Sequence, residues 1–168
     1  MKDPVSAMVV VGWRERVMLP ALGVGPLRAK LDTGARSCAL HVDAQWRFVD
    51  GGRPWVGFRL ETGVLRRRTF EAFAPIVDER VVTDSGGRAE RRVFIRSLLR
   101  LAGREREVDI NLADRRGRLF PMLVGRSALQ PWFIVDPARS FVHRRRPLPA
   151  ADAAADGQPL EDAANGRT

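Results

Sequence analysis

The chain has 168 residues, 45% of them hydrophobic, with 15 glycines and 11 prolines. This is about one domain's length and suits a folded, turn-rich globule, which excludes the disordered and fibrous classes. The formal charge is +9 and 27 of the 29 basic residues are arginine; such a surface favours acidic partners, although a GC-rich genome also enriches arginine and alanine. No apolar run approaches the roughly 20 residues that span a bilayer. The first residues lack a signal-peptide pattern, and the single cysteine, Cys38, cannot close an internal disulfide. Cytoplasmic residence without a membrane partner is the expectation.

In chain order, apolar alternation predicts strands over 8–11, 17–22, 27–31, 55–60 and 70–77. Val93, Ile95, Leu99 and Leu101 then share one parity. Beyond a turn at Ala102-Gly103-Arg104, the residues Val108, Ile110 and Leu112 alternate with Glu107, Asp109 and Asn111, which predicts a half-buried hairpin. Further strands are expected over 119–124 and 132–135, with one short helix starting near Gly125-Arg126-Ser127 and ending before Pro131. Turn chemistry marks Gly23-Val24-Gly25-Pro26, Asp50-Gly51-Gly52, Ser85-Gly86-Gly87 and Arg115-Arg116-Gly117. Many short strands with regular breaks predict an all-β barrel or sandwich. The body is expected over residues 1–146. From Pro147 to Thr168, four acids face one arginine, giving −3 and leaving +12 on the body; this alanine- and proline-rich tail is expected to be disordered.

The chemistry concentrates in Ala29-Lys30-Leu31-Asp32-Thr33-Gly34-Ala35-Arg36-Ser37-Cys38-Ala39-Leu40. An apolar strand ends at Leu31, Thr33 can hold the turn with its hydroxyl, and Gly34 admits approaches that a Cβ would forbid, so Asp32 is presented on rigid backbone. Peptide hydrolysis by water needs a group that both takes and gives a proton, and two carboxylates sharing one proton supply it. A bare Asp-Thr-Gly is most often only a turn. Its weight here comes from the flanking apolar residues and from the distant run Phe120-Pro121-Met122-Leu123-Val124-Gly125-Arg126.

Together these segments resemble those of retropepsin-type aspartic peptidases, in which an Asp-Thr/Ser-Gly-Ala turn lies over an apolar-apolar-Gly-Arg segment with a glycine-tipped hairpin between them in sequence. Residues 30–40, Leu112-Ala113-Asp114-Arg115 and residues 120–129 are similar, more closely, to a bacterial retropepsin-like group that older naming calls an ATP-dependent zinc protease. Members of that group often accompany a ligase that adds glutamates to a ribosomal protein. The resemblance covers roughly residues 8–143. It implies a retropepsin-like all-β fold, a catalytic role for Asp32 with Thr33 and Gly34, a grip across a dimer by Thr33, and a flap over 81–93 tipped by Ser85, Gly86 and Gly87. Ala35, Arg36 and Arg126 become candidate substrate contacts. One such acid per chain implies a homodimer, with Asp32 facing its own copy.

No metal or nucleotide cofactor is expected. The chain has two histidines, His41 and His143, one cysteine, no His-Glu-x-x-His helix and no phosphate-cradling glycine loop. Burial is the expected fate of Cys38.

Viral retropepsins carry an acid after the alanine, paired with the arginine of the Gly-Arg segment; here that position is Arg36, which cannot pair with Arg126. Both then need an outside anion or an acid such as Asp109 or Asp114. The preferred reading is a homodimeric aspartic peptidase acting on acidic, glutamate-rich peptides. The alternative is a catalytically inactive module of the same fold that binds acidic partners or nucleic acid through the basic body. Arg66-Arg67-Arg68 and Arg144-Arg145-Arg146 lack interleaved aromatics, so nucleic acid is the weaker expectation.

Overall fold

The computed structural model describes residues 8–143 apart from Val64, Ser85 and Arg118. The expected tail over 147–168 and the flap residue Ser85 lie outside the described residues. The strands are β1 (Val9–Gly12), β2 (Arg14–Leu19), β3 (Val24–Asp32), β4 (Cys38–His41), β5 (Ala44–Asp50), β6 (Arg53–Thr62), β7 (Arg68–Thr83), β8 (Ala89–Leu101), β9 (Arg104–Ala113), β10 (Met122–Gly125) and β11 (Phe133–Asp136), with one four-residue helix, α1 (Arg126–Leu129). The fold is all-β, and α1 follows the Gly-Arg segment as expected. Among the described residues no helix is long and apolar enough to cross a membrane.

Hydrogen-bonding order runs β2-β3-β10-β4-β9-β8, and β8 also pairs β2, so six strands close into a barrel. Closure removes the unpaired edges that an open sheet would present. The alternation read in the sequence fills the interior: Val93, Ile95, Leu99 and Leu101 of β8 and Val108, Ile110 and Leu112 of β9 meet Leu27, Ala29 and Leu31 of β3 in one core.

β7 serves two partners in turn. Arg68 to Pro75 pairs with β6, Ile76 to Thr83 pairs with β8, and a bulge between Ile76 and Asp78 marks the change. Beyond the bulge, β7 and β8 run on as a two-stranded arm, because a bulge adds local twist and re-aims a strand. This arm is the hairpin expected over 81–93, built from longer strands than the apolar pattern indicated.

β4 and β5 were not anticipated. β4 reads Cys-Ala-Leu-His with every residue buried, so it carries no alternation. β5 lies at the open end of the order, exposed along most of its length. The turn anticipated over Gly23 to Pro26 is shorter: Val24, Gly25 and Pro26 already belong to β3.

Candidate active site

β3 alternates cleanly, with Leu27, Ala29 and Leu31 inward and Arg28, Lys30 and Asp32 outward. β10 lies parallel to it, pairing Val124 with Leu31 and Gly125 with Asp32. Asp32 thus ends a strand buttressed by the Gly-Arg segment.

The turn after Asp32 is held by its own carboxylate. Oδ1 accepts the backbone N–H of Gly34 at 3.0 Å and of Ala35 at 3.2 Å. A Cβ on Gly34 would stand 3.2 Å from that oxygen. Oδ2 faces Lys30 Nζ at 3.7 Å.

Underneath, α1 gives its unused amides to the same loop: Arg126 N–H donates to Ala35 O at 2.8 Å and Ser127 N–H to Arg36 O at 3.1 Å. Contact is so close that a Cβ on Gly125 would lie 2.5 Å from Ser37 O and 2.9 Å from Ala35 O. The glycine of the Gly-Arg segment is therefore a steric requirement of the acid's turn.

Asp32, Gly34, Ala35 and Arg36 come together in a cleft of about 680 Å³, which Val82, Thr83 and Asp84 of the hairpin arm also line. Thr33 is exposed on the turn outside the lining, as are Gly86 and Gly87 at the arm's tip. The tip is tied by Asp84, whose Oδ1 accepts Gly86 N–H at 2.9 Å and Arg88 N–H at 3.0 Å. Gly87 takes φ +81°, a left-handed conformation that suits glycine.

The acids proposed for the two arginines are engaged elsewhere. Asp109 pairs with Arg96 at 2.8 Å and Asp114 with Arg116 at 2.7 Å. The Arg116 side chain, with its backbone amide, holds the Asp114 carboxyl below the usual carboxylate range. Arg126 instead donates Nη1–H to Thr33 O at 3.4 Å, clasping the turn from behind, and does not line the cleft. Arg36 is exposed and makes no ion pair among the described residues.

Three lining residues escaped the sequence reading. Lys30 sits two positions before Asp32 and so on the same face of β3. Asn111, taken as a solvent-facing position of β9, is buried: its Nδ2–H donates to Cys38 O at 2.6 Å, and its Oδ1 accepts Arg92 Nη1–H at 3.0 Å. Arg92, on the arm, is thereby drawn over the cleft. A polar residue flanked by Ile110 and Leu112 was the one available signal. The cleft lining includes Lys30, Arg36, Arg92 and Arg115 against Asp32, Asp84 and Asp114.

Metal-ligating side chains do not gather here. Among the described residues no three of His, Cys, Asp and Glu stand together as a metal site. His41 is committed at both nitrogens, to Asp43 Oδ1 at 3.1 Å and to the Arg115 N–H at 3.0 Å. Burial pushes the Cys38 thiol up to about 11, with the Gly125 amide opposing.

Comparison with known proteins agrees with this architecture. Residues 10–146 match the family described as RimB-like, retropepsin-like aspartic endopeptidase RimB. Curated relatives include proteins named probable alpha-L-glutamate ligase from Shewanella pealeana, 35% identical over 133 residues, and from Desulfotalea psychrophila, 32% identical over 133 residues. In each pair the match covers 79% of this chain but only 29% of the relative, so the chain spans under a third of those proteins' length. A solved Legionella pneumophila protein of unknown function superposes with TM-score 0.65 at 28% identity, over 80% of this chain and 97% of that one. With an acid on a glycine turn, a Gly-Arg segment beneath it and a hairpin arm beside it, the chain belongs to the RimB-like family of retropepsin-like aspartic endopeptidases.

Proposed function

We propose that the protein is a homodimeric aspartic peptidase that hydrolyses acidic, glutamate-rich peptides. The observation that carries this reading is the fixation of Asp32: one oxygen accepts two backbone amides, the other faces Lys30, and the residue lines a cleft with four basic and three acidic side chains. A single carboxylate cannot take a proton from water and give one to the carbonyl in the same step. A second copy supplies the other acid, and like charges so close share one proton.

In the first step, the ionised Asp32 removes a proton from water as its oxygen attacks the peptide carbon, and the protonated partner Asp32 gives its proton to the carbonyl oxygen. The resulting tetrahedral diol collapses. The carboxyl that took the water's proton passes it to the leaving nitrogen, the C–N bond breaks, and a diol hydroxyl proton returns to the partner carboxylate. In this reading Thr33, exposed beside the acid, grips the facing copy, and the Asp84-tied arm covers the substrate. Lys30, Arg36 and Arg92 favour carboxylate side chains, Arg36 having no structural acid to satisfy. The ligase names of longer relatives support glutamate-rich chains as the substrate class.

The test is incubation with oligoglutamate and with a mixed neutral peptide library, with products read by mass. Asp32→Asn should leave a folded protein with turnover reduced by about 10²-fold or more. Retained turnover in that variant would remove the mechanism. Arg36→Glu should depress kcat/KM on acidic peptides about tenfold more than on neutral ones; equal losses would remove the specificity. If the protein bound acidic chains or nucleic acid without cleaving any peptide, it would be the inactive binding module instead.

A further inference from the structure

A second cleft, of about 570 Å³, adjoins the first through shared lining residues. Its lining brings together Arg16 of β2, Arg28 of β3, the run Arg66, Arg67 and Arg68, and Arg115 and Arg116, of which Arg115 also lines the cleft of Asp32. Among the described residues Glu61 is the single acid in its lining, and it is engaged by Arg67 at 3.6 Å. Arg16 and Arg66 make no ion pair among the described residues, and Arg68 rests its guanidinium over the Phe70 ring at 4.9 Å.

The two clefts share Arg115 and the exposed Leu119. A hydrogen-bonded chain running from buried His41 to exposed Asp43 links their walls. His41 Nδ1 accepts the Arg115 N–H, His41 Nε2 bonds to Asp43, and Asp43 Oδ2 accepts the Glu61 N–H at 2.7 Å. The loop of Arg115 and the end of β6 that leads to Arg66 are therefore tied to one point at the end of β4.

We propose that this arginine groove is a second binding subsite, into which the distal part of an extended acidic polypeptide runs from the catalytic cleft. The inference rests on the acidic-peptide reading above. Guanidinium groups match carboxylates in paired geometry, and although Arg67 pairs with Glu61 and Arg116 with Asp114, Arg16 and Arg66 have no ion pair among the described residues and are left to an outside carboxylate. Nucleic acid fits less well, because no phenylalanine or tryptophan is among the described lining residues to stack a base. Continuity with the cleft of Asp32 also favours a chain long enough to occupy both.

The experiment measures fluorescence anisotropy of labelled oligoglutamates on the Asp32→Asn protein, where binding is separated from cleavage. A ten-residue chain extends about 33 Å and a three-residue chain about 10 Å, so the longer probe has more than three times the reach. Combined Arg16→Ala, Arg66→Ala and Arg67→Ala changes, all at exposed side chains, should weaken the ten-residue probe about tenfold and leave the three-residue probe within about twofold. Equal effects on the two probes, or none on the longer, would overturn the subsite. Tighter binding of a ten-nucleotide RNA through the same arginines would assign the groove to nucleic acid and overturn it as well. Should the longer probe depend on these arginines while wild-type protein cleaves no peptide, the groove stands and the catalytic reading falls. If acidic peptides are cleaved while both probes ignore the substitutions, the catalytic reading stands and the groove falls.

Discussion

Gly125 has no room for a side chain, since the loop that carries Asp32 rests directly on it. Gly125→Ala should cost about 1–3 kcal/mol by overpacking and displace the acid's turn, lowering both the denaturation midpoint and turnover. A variant of wild-type stability would contradict the close approach. Cys38 offers a second measurement at this scale. Its thiol ionises near about 11 in the native state against an ordinary 9.0. Below pH 9 both states are protonated and the neutral thiol's contribution is complete. As pH rises from 9 toward 11 only the unfolded chain sheds the proton, so stability falls, by about 2–3 kcal/mol in all. Urea unfolding at about pH 8 and about pH 10.5 should show this drop in wild type and lose it in Cys38→Ala.

Among the elements, the arm formed by β7 and β8 owes its direction to the bulge near Val77, and its tip to the Asp84 carboxylate. Asp84→Ala should loosen the tip with a stability change within about 1 kcal/mol, because the half-buried carboxylate ties only the end of a two-stranded arm, while raising KM several-fold. Unchanged KM would mean that the arm does not touch substrate. A different tie holds the chain end. Glu15 of β2 is fully buried, and its carboxylate accepts the N–H groups of Gly12 at 2.8 Å, Val142 at 2.9 Å and His143 at 3.4 Å. Glu15→Ala strands those donors and should cost about 3 kcal/mol, read by thermal denaturation. The parity of β8 and β9 was legible because each shows one face to the core. β4, buried all round, and β5, exposed along most of its length, show no contrast to read.

For the whole molecule the decisive quantity is association. If two Asp32 carboxylates make one site, specific activity should fall on dilution. Mixing and re-equilibrating equal amounts of wild-type and Asp32→Asn protein should roughly halve the activity of the wild-type protein present, since only about a quarter of dimers keep both acids. Activity independent of concentration and of the inactive variant would show that one chain suffices. The arginines of the second cleft, with Arg36 in the first, also predict a loss of affinity for acidic chains with added salt, because exposed charge pairs are screened over about 10 Å at 0.1 M.

Local chemistry determined the parts that a few neighbouring residues specify. An acid, a threonine and a glycine after an apolar strand make a rigid turn wherever that strand lies, and period-two runs make strands whatever they later pair with. Tertiary structure alone decided what stands beside them. β10 slots parallel against β3 from more than ninety residues away, Asn111 turns inward to hold Arg92, Arg126 grips the turn in place of an acid, and arginines from four separate stretches meet in one groove. Barrel closure makes those neighbours, and a pairing between distant strands leaves no mark in the spacing of either.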